Sequence, residues 1–324
     1  MAFLESFGKS YNIIVLLLAV WLPLRALTFH QTAMDPISQP ASFILDFDGT
    51  ITTKDTIDFL FKSALSFHKE KGHDMTKAWQ EIIAAYGQDY ETHVGRYKPP
   101  KEERNTIEKE VEFYRSLREV EERSFERVSK SRIFKGISEE KWEELGSQAV
   151  KNGEVILREG FSQFIESVKS AKSRWGVVSV NFSSAFIRGV LGSIIGPESE
   201  EIRILANQPD EDGVLKGPKT REGIPGKLMA TSDAKLASMN DLKRSWNMGA
   251  NKVVYIGDSG TDIECLVSDG VIGIIISEDG KSSLMQTMRR IGMEVFHIGE
   301  YKEKARSIYW ARDFLEIARS PLFK

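Results

Sequence analysis

Ser42-Phe43-Ile44-Leu45-Asp46-Phe47-Asp48-Gly49-Thr50 is an apolar run that stops abruptly at two aspartates, a glycine and a hydroxyl. A short apolar run bounded by turn residues reads as a buried strand. Similar runs follow at Trp175–Val180 (WGVVSV), Val253–Ile256 (VVYI) and Val271–Ile276 (VIGIII), with a weaker one at Val295–Ile298. Helical patterns fall between and after them, at Phe161–Ala171, Ser184–Ile194, Asp233–Trp246, Thr261–Val267, Ser282–Ile291 and Lys304–Ala318. Strands alternating with helices predict an α/β fold, a doubly wound parallel sheet covered by helices on both faces.

The interval between Phe47 and Trp175 breaks the alternation. It has few β-branched clusters and several amphipathic stretches, so residues 54–152 are expected to be an inserted all-helical cap. The catalytic core is then 41–53 and 153–324, with residues 1–40 a separate N-terminal segment. Within the insertion, Lys101–Lys130 is dense in charges of both signs, and Ile107, Val111, Tyr114, Leu117, Val120 and Phe125 form roughly one helical stripe. Such a stretch reads as a solvated helix with its apolar side on neighbours. Trp79, Trp142, Tyr86 and Tyr90 are expected in the cap core, where one of them could also line a substrate pocket.

The 324 residues are 41% hydrophobic and 28% charged, the make-up of a folded globular protein. Lysine plus arginine number 44 against 47 acidic residues, so no global field favours nucleic acid or an anionic membrane. No protein partner is implied. The single Cys265 cannot form an internal disulfide and is expected to pack internally.

Ile13–Leu24, IIVLLLAVWLPL, is apolar but shorter than the ~20 residues a spanning helix needs. It fits the ~7–15 residues of a signal-peptide core better, although Glu5 beside Lys9 weakens the positive flank. Translation from Met34 is the alternative. Asn181-Phe182-Ser183 matches a glycosylation acceptor, yet it falls among the expected site residues, where a glycan would block access. The cytoplasm is therefore expected, with targeting or membrane contact open only through residues 13–24.

In an open α/β sheet, ligands bind beyond the carboxyl ends of the strands. Three ends carry polar groups: Asp46-Phe47-Asp48-Gly49-Thr50, Ser179-Val180-Asn181 and Gly257-Asp258-Ser259-Gly260-Thr261-Asp262. Asp46 and Asp48, two apart, project to the same side while the chain stays extended. Like charges so close need a proton or a cation between them. With Asp258 as a third carboxylate and no His or Cys nearby, the donor set suits a hard divalent cation, Mg²⁺ above all. Gly49 permits a sharp turn, and Thr50 has a hydroxyl to donate.

DFDGTIT at 46–52 followed by GDSGTD at 257–262 resembles the haloacid dehalogenase superfamily of phosphohydrolases, in the branch of the phosphoserine and methionine-salvage phosphatases. The resemblance covers most of the chain from about residue 41, and the inserted helices resemble the family's cap. It implies that Asp46 is the nucleophile, forming an aspartyl phosphate, and Asp48 the general acid and base. It also implies Mg²⁺ held by Asp46, the backbone carbonyl of Asp48, and Asp258, with Asp262 orienting the metal shell or a neighbouring lysine. Ser179 matches the phosphate-binding hydroxyl, and the substrate would be a small phosphorylated metabolite.

The family also uses a lysine beside the nucleophile. Lys235 is favoured, in the first turn of a helix that Ser232 could cap, with Lys227 as the competitor. Many relatives follow the motif serine with Gly-Gly; here Val180-Asn181 stands instead, and puts an amide near the expected phosphate. A phosphomutase or phosphotransferase using the same intermediate is the rival enzyme, and a non-catalytic binding protein the rival class. Gly273…Gly280-Lys281-Ser282 is too widely spaced for a nucleotide-binding loop, and Asp55 reads equally as a helix-start carboxylate. The five histidines lack zinc-site spacing, with His68 and His73 expected at the surface.

Overall fold

β1 (Ser42–Leu45) is buried at every position, because neighbours flank it on both sides and helices cover both faces. β2 (Arg174–Val178), β3 (Arg203–Leu205), β6 (Val253–Gly257), β7 (Val271–Ile276), β8 (Val295–His297) and β9 (Ile308–Ala311) complete one seven-stranded sheet. Every pairing in it is parallel, and the order is β3-β2-β1-β6-β7-β9-β8. β4 (Gln208–Pro209) and β5 (Leu215–Lys216) form a separate antiparallel pair. The computed structural model describes residues 41–219, 226–246, 252–302 and 308–323; the apolar run 13–24 and the targeting expectation attached to it lie outside these. No helix among the described residues is long and apolar enough to cross a membrane.

From β1 the sheet grows one way to β2 and β3, then resumes on the other side of β1 with β6 and β7. The carboxyl ends of β1 and β6 therefore flank a topological switch point, where an open α/β sheet offers its crevice. The core helices are α6 (Phe161–Ser170), α7 (Ser184–Ile195), α8 (Ser232–Ser245), α9 (Ile263–Leu266), α10 (Ser283–Arg290) and α11 (Phe314–Arg319).

One expected helix is corrected. Of Lys304–Ala318, residues 303–307 lie outside the described set, and Ile308–Ala311 is strand β9, paired with both β7 and β8. Its β-branched and aromatic residues suit a pleated, half-buried strand, and the helix begins only after Asp313, which caps the Glu316 amide at 2.8 Å.

Between β1 and β2 lie five insertion helices: α1 (Ile57–Glu70), α2 (Thr76–Arg96), α3 (Ile107–Ser116), α4 (Arg118–Ser131) and α5 (Glu139–Lys151). The stripe expected over Lys101–Lys130 belongs to α3 and α4, which meet at Leu117. The linkers into and out of the insertion pair with each other: Thr52 bridges Leu157, and the Thr53 amide donates to the Ile156 carbonyl at 2.9 Å.

α5 packs backbone to backbone on α7. A Cβ at Gly189 would lie 1.9 Å from the Glu143 carbonyl oxygen, and one at Gly146 would lie 2.3 Å from that of Phe186. Only glycine allows so close an approach. Trp142 is buried, but Tyr90 is exposed on α2. His68, expected at the surface, is buried and bonds the Ile133 carbonyl at 2.8 Å.

Candidate active site

Past Leu45 the ladder to β6 runs one residue further, the Asp46 amide donating to the Ile256 carbonyl at 2.8 Å, and the chain then turns at Phe47. The Asp46 carboxylate accepts the Phe47 amide at 2.7 Å through Oδ1, while Oδ2 lies 2.9 Å from the Lys235 ammonium. Lys235 comes from the first turns of α8 and is wholly buried; its Nζ also sits 2.6 Å from Asp262 Oδ1. Ser232 does not cap this helix. Thr231 holds the N-cap position, and the Ser232 hydroxyl donates to Glu264 at 2.8 Å.

Asp262 closes the turn after β6. Its Oδ2 accepts the amides of Asp258 and Ser259 at 3.1 and 3.0 Å, and its Oδ1 accepts the Tyr255 hydroxyl at 2.6 Å. These bonds fix the loop that presents Asp258. The Thr50 hydroxyl donates to Asp258 Oδ1 at 2.8 Å, so it is engaged with this carboxylate. Gly49 has a φ of +72°, and a Cβ there would lie 2.4 Å from Asp258 Oδ2. The β1 and β6 loops therefore touch through a position only glycine fills.

Carboxylate oxygens of Asp46, Asp258 and Asp262 lie within 4.8 Å of one another. The Asp48 carboxylate is not among them, contrary to the same-side expectation, because the chain already leaves the strand conformation at Phe47, between the two aspartates. Its Oδ1 accepts the Thr56 amide and hydroxyl at 2.8 and 2.7 Å, and its Oδ2 accepts the Asn181 amide at 2.7 Å.

Asn181 is thus occupied with Asp48 and, at 3.0 Å, with Thr56, and its Oδ1 accepts the Ser183 amide at 3.0 Å. Ser179 is buried just past β2; its Oγ accepts the Asn181 amide at 3.2 Å, leaving the hydroxyl proton to donate. Val180 is half-buried beside it. Lys227 is exposed on the wall of a separate cavity of about 1010 Å³ and is not paired with Asp46.

The electrostatics show a site short of positive charge. Burial, reinforced by Asp262, pushes the Asp46 carboxyl well above the ordinary range against the pull of Lys235. Burial and Asp262 likewise raise Asp258 to about 7. Asp48 is raised to about 6 by burial and by Asp55, less than it would be without its Asn181 and Thr56 bonds. Burial works to raise Asp262 too, but the Lys235 charge and the donors around it outweigh this and hold it low. Burial opposes the Lys235 charge, yet Asp262 and Asp46 keep its pKa above the usual value. An all-oxygen donor set with surplus negative charge is what a hard divalent cation satisfies, so these carboxylates fit a metal of that kind.

The pattern of the haloacid dehalogenase-like hydrolases matches residues 43–267 of this sequence, from the first strand through the second acidic loop. The chain belongs to this family. A CTO1 family protein of Schizosaccharomyces pombe is 25% identical over 289 residues, spanning 86% of this chain and 98% of its own. Cold tolerance protein 1 of Saccharomyces cerevisiae is 25% identical over 261 residues, 72% of this chain and 77% of its own. Among solved structures, a phosphoserine phosphohydrolase-like protein from Francisella tularensis is 16% identical with a TM-score of 0.45, covering 86% of this chain and 98% of that one.

Two residues of this haloacid dehalogenase-like hydrolase escape a reading of its sequence. Thr56 orients Asp48 from eight residues away, with no pattern to announce it. Arg158 sits where the insertion rejoins the core and donates to the carbonyls of Gly49 and Thr50 at 2.6 and 3.1 Å, bracing the loop behind Asp48. Tyr255 was detectable: a tyrosine inside a buried strand needs a partner for its hydroxyl, and Asp262 supplies it.

Proposed function

We propose that this protein is a Mg²⁺-dependent phosphohydrolase acting on a small phosphorylated metabolite through an aspartyl phosphate on Asp46. The observation that carries the reading is the Lys235 ammonium held between Asp46 and Asp262, with Asp258 beside them. That arrangement keeps a buried carboxylate oriented and ready to attack.

Asp46 and Asp258, with the Asp48 backbone carbonyl, would hold the metal. When bound, Mg²⁺ offsets the repulsion between a carboxylate and a phosphate dianion. An Asp46 oxygen attacks phosphorus, the bond from phosphorus to the ester oxygen breaks, and the leaving alkoxide takes a proton from Asp48. Asp48 then accepts a proton from water as that water attacks the acyl phosphate, which frees phosphate and restores the Asp46 carboxylate. Asn181 and Thr56 hold the Asp48 carboxyl in place for both proton transfers. Ser179 donates its hydroxyl to the phosphate, and Lys235 stabilises the charge that builds on it.

Residues 54–152 act as the cap: their helices admit the substrate and then keep bulk water from the intermediate. The test is release of phosphate from a generic ester such as p-nitrophenyl phosphate. Activity is expected to disappear in Asp46→Asn and in excess EDTA, and to return when Mg²⁺ is restored to the native protein. Hydrolysis that persists in a clean Asp46→Asn preparation would overturn the assignment.

A further inference from the structure

A cavity of about 570 Å³ lies between the insertion and the loops that carry the catalytic residues. Val180 and Thr261 line it from the core. Thr261 is the same residue whose hydroxyl lies 3.4 Å from the Lys235 ammonium, so the cavity adjoins the catalytic cluster. A site of this size accommodates a small organic group.

The wall chemistry is one-sided. Five aromatic residues contribute: Phe61 of α1, Trp79 and Tyr86 of α2, Phe125 of α4, and Phe182. Phe61 and Trp79 stack with ring centroids 3.7 Å apart. Among the described residues, the ionisable ones on the wall besides Tyr86 are Asp55, Asp58 and Glu121, with no lysine, arginine or histidine. Asp58 pairs with Lys62 at the exposed rim. Glu121, from α4, sits deeper and meets the Tyr86 hydroxyl at 3.1 Å. Among the described residues no ion pair to Glu121 is found, although its α4 neighbours Arg123 and Arg127 both turn to Asp89. Burial lifts the Glu121 carboxyl to about 7, as expected of a carboxylate without a counter-charge.

Among the described residues, the charged groups an anionic leaving group would meet on this wall are carboxylates, and the one cation beside them, Lys62, is already paired with Asp58 at the rim. A cationic one would meet aromatic faces and Glu121, the combination that binds ammonium groups. We infer that the substrate is a phosphate monoester whose alcohol carries a protonated or quaternary amine on an apolar or aromatic body, with Glu121 as its counter-ion. The inference rests on the phosphohydrolase reading for its location, and on the composition of the cavity wall for its content.

The test uses the full chain with Mg²⁺ and three esters of matched shape: tyramine O-phosphate, 4-ethylphenyl phosphate and 3-(4-phosphooxyphenyl)propanoate. The expected order of kcat/KM is cationic, then neutral, then anionic, with about a tenfold step or more between the first two, the range of a charge-assisted contact. Glu121→Gln, which can still accept from Tyr86, should shrink the cationic-to-neutral ratio about tenfold. Equal rates for the cationic and neutral esters, or a preference for the propanoate, would overturn the inference while leaving the phosphohydrolase intact. If none of the three is hydrolysed, the proposed function fails instead. Calorimetry with the free alcohols then decides the cavity separately: tyramine binding more tightly than 4-ethylphenol supports the inference, and equal binding overturns it.

Discussion

Replacing Lys235 by methionine keeps the side chain's length and removes its charge. The ammonium is completely buried, 2.9 Å from Asp46 and 2.6 Å from Asp262, so the variant leaves two buried carboxylates facing each other with Asp258 nearby. Removing one partner of a buried ion pair costs about 3–5 kcal/mol. Large domains lose roughly 2–4 °C of Tm per kcal/mol, so in EDTA the variant should melt about 10 °C lower than the parent. Saturating Mg²⁺ supplies part of the missing positive charge, so the deficit should shrink when the metal is present. Turnover should fall by about 10²–10³, the usual effect of removing one stabilising donor from a preorganised site. Melting curves in EDTA and in Mg²⁺, with phosphate release measured alongside, provide both numbers. A variant that melts within about 2 °C of the parent in EDTA, or turns over at the parent's rate, would refute the role given to this lysine.

Gly49→Ala would place a Cβ 2.4 Å from Asp258 Oδ2 at a φ of +72°, displacing that carboxylate. It should raise the Mg²⁺ concentration needed for half-maximal activity by about 10–100-fold, read from a metal titration. Asn181→Ala removes the 2.7 Å donor that orients Asp48. Turnover of alkyl phosphates should fall about tenfold, and that of p-nitrophenyl phosphate much less, because a good leaving group has little need of a general acid; equal losses would mean that Asn181 acts elsewhere. Gly189→Ala drives a Cβ into the Glu143 carbonyl at 1.9 Å, and should destabilise the fold by about 1–3 kcal/mol or more in a denaturant titration.

The central strands were legible because burial on both faces forces near-continuous apolar runs, as at Phe43–Leu45 and Val253–Ile256. β3 and β9 were not. Arg203–Leu205 is too short to show a pattern, and Ile308-Tyr309-Trp310-Ala311 ran straight into a genuine helix start. At the site, residues ending a strand announce themselves by the contrast with the run before them. Asp46, Ser179 and Asp258 are of that kind. Side chains that act through tertiary contacts do not: Thr56 and Arg158 look like ordinary polar residues until the linkers of the insertion fold back on the acidic loop. The destinations of Asn181 and Thr50 were hidden for a related reason. Sequence places a residue near a site, whereas hydrogen-bond partners within the site decide what it touches, and here those partners are Asp48 and Asp258. The insertion was visible as a helical interval, but its last helix, α5, packs on α7 through Gly146 and Gly189, a contact no local pattern encodes.

Chemical trapping tests the central claim most directly. The protein is mixed with a ³²P-labelled phosphate monoester and Mg²⁺, quenched in acid within the first turnover, and digested for peptide mapping. The account predicts base-labile label on the peptide containing Asp46, absent in Asp46→Asn and absent when EDTA precedes the substrate. Phosphate release without any labelled peptide, or label that persists in the asparagine variant, would contradict it.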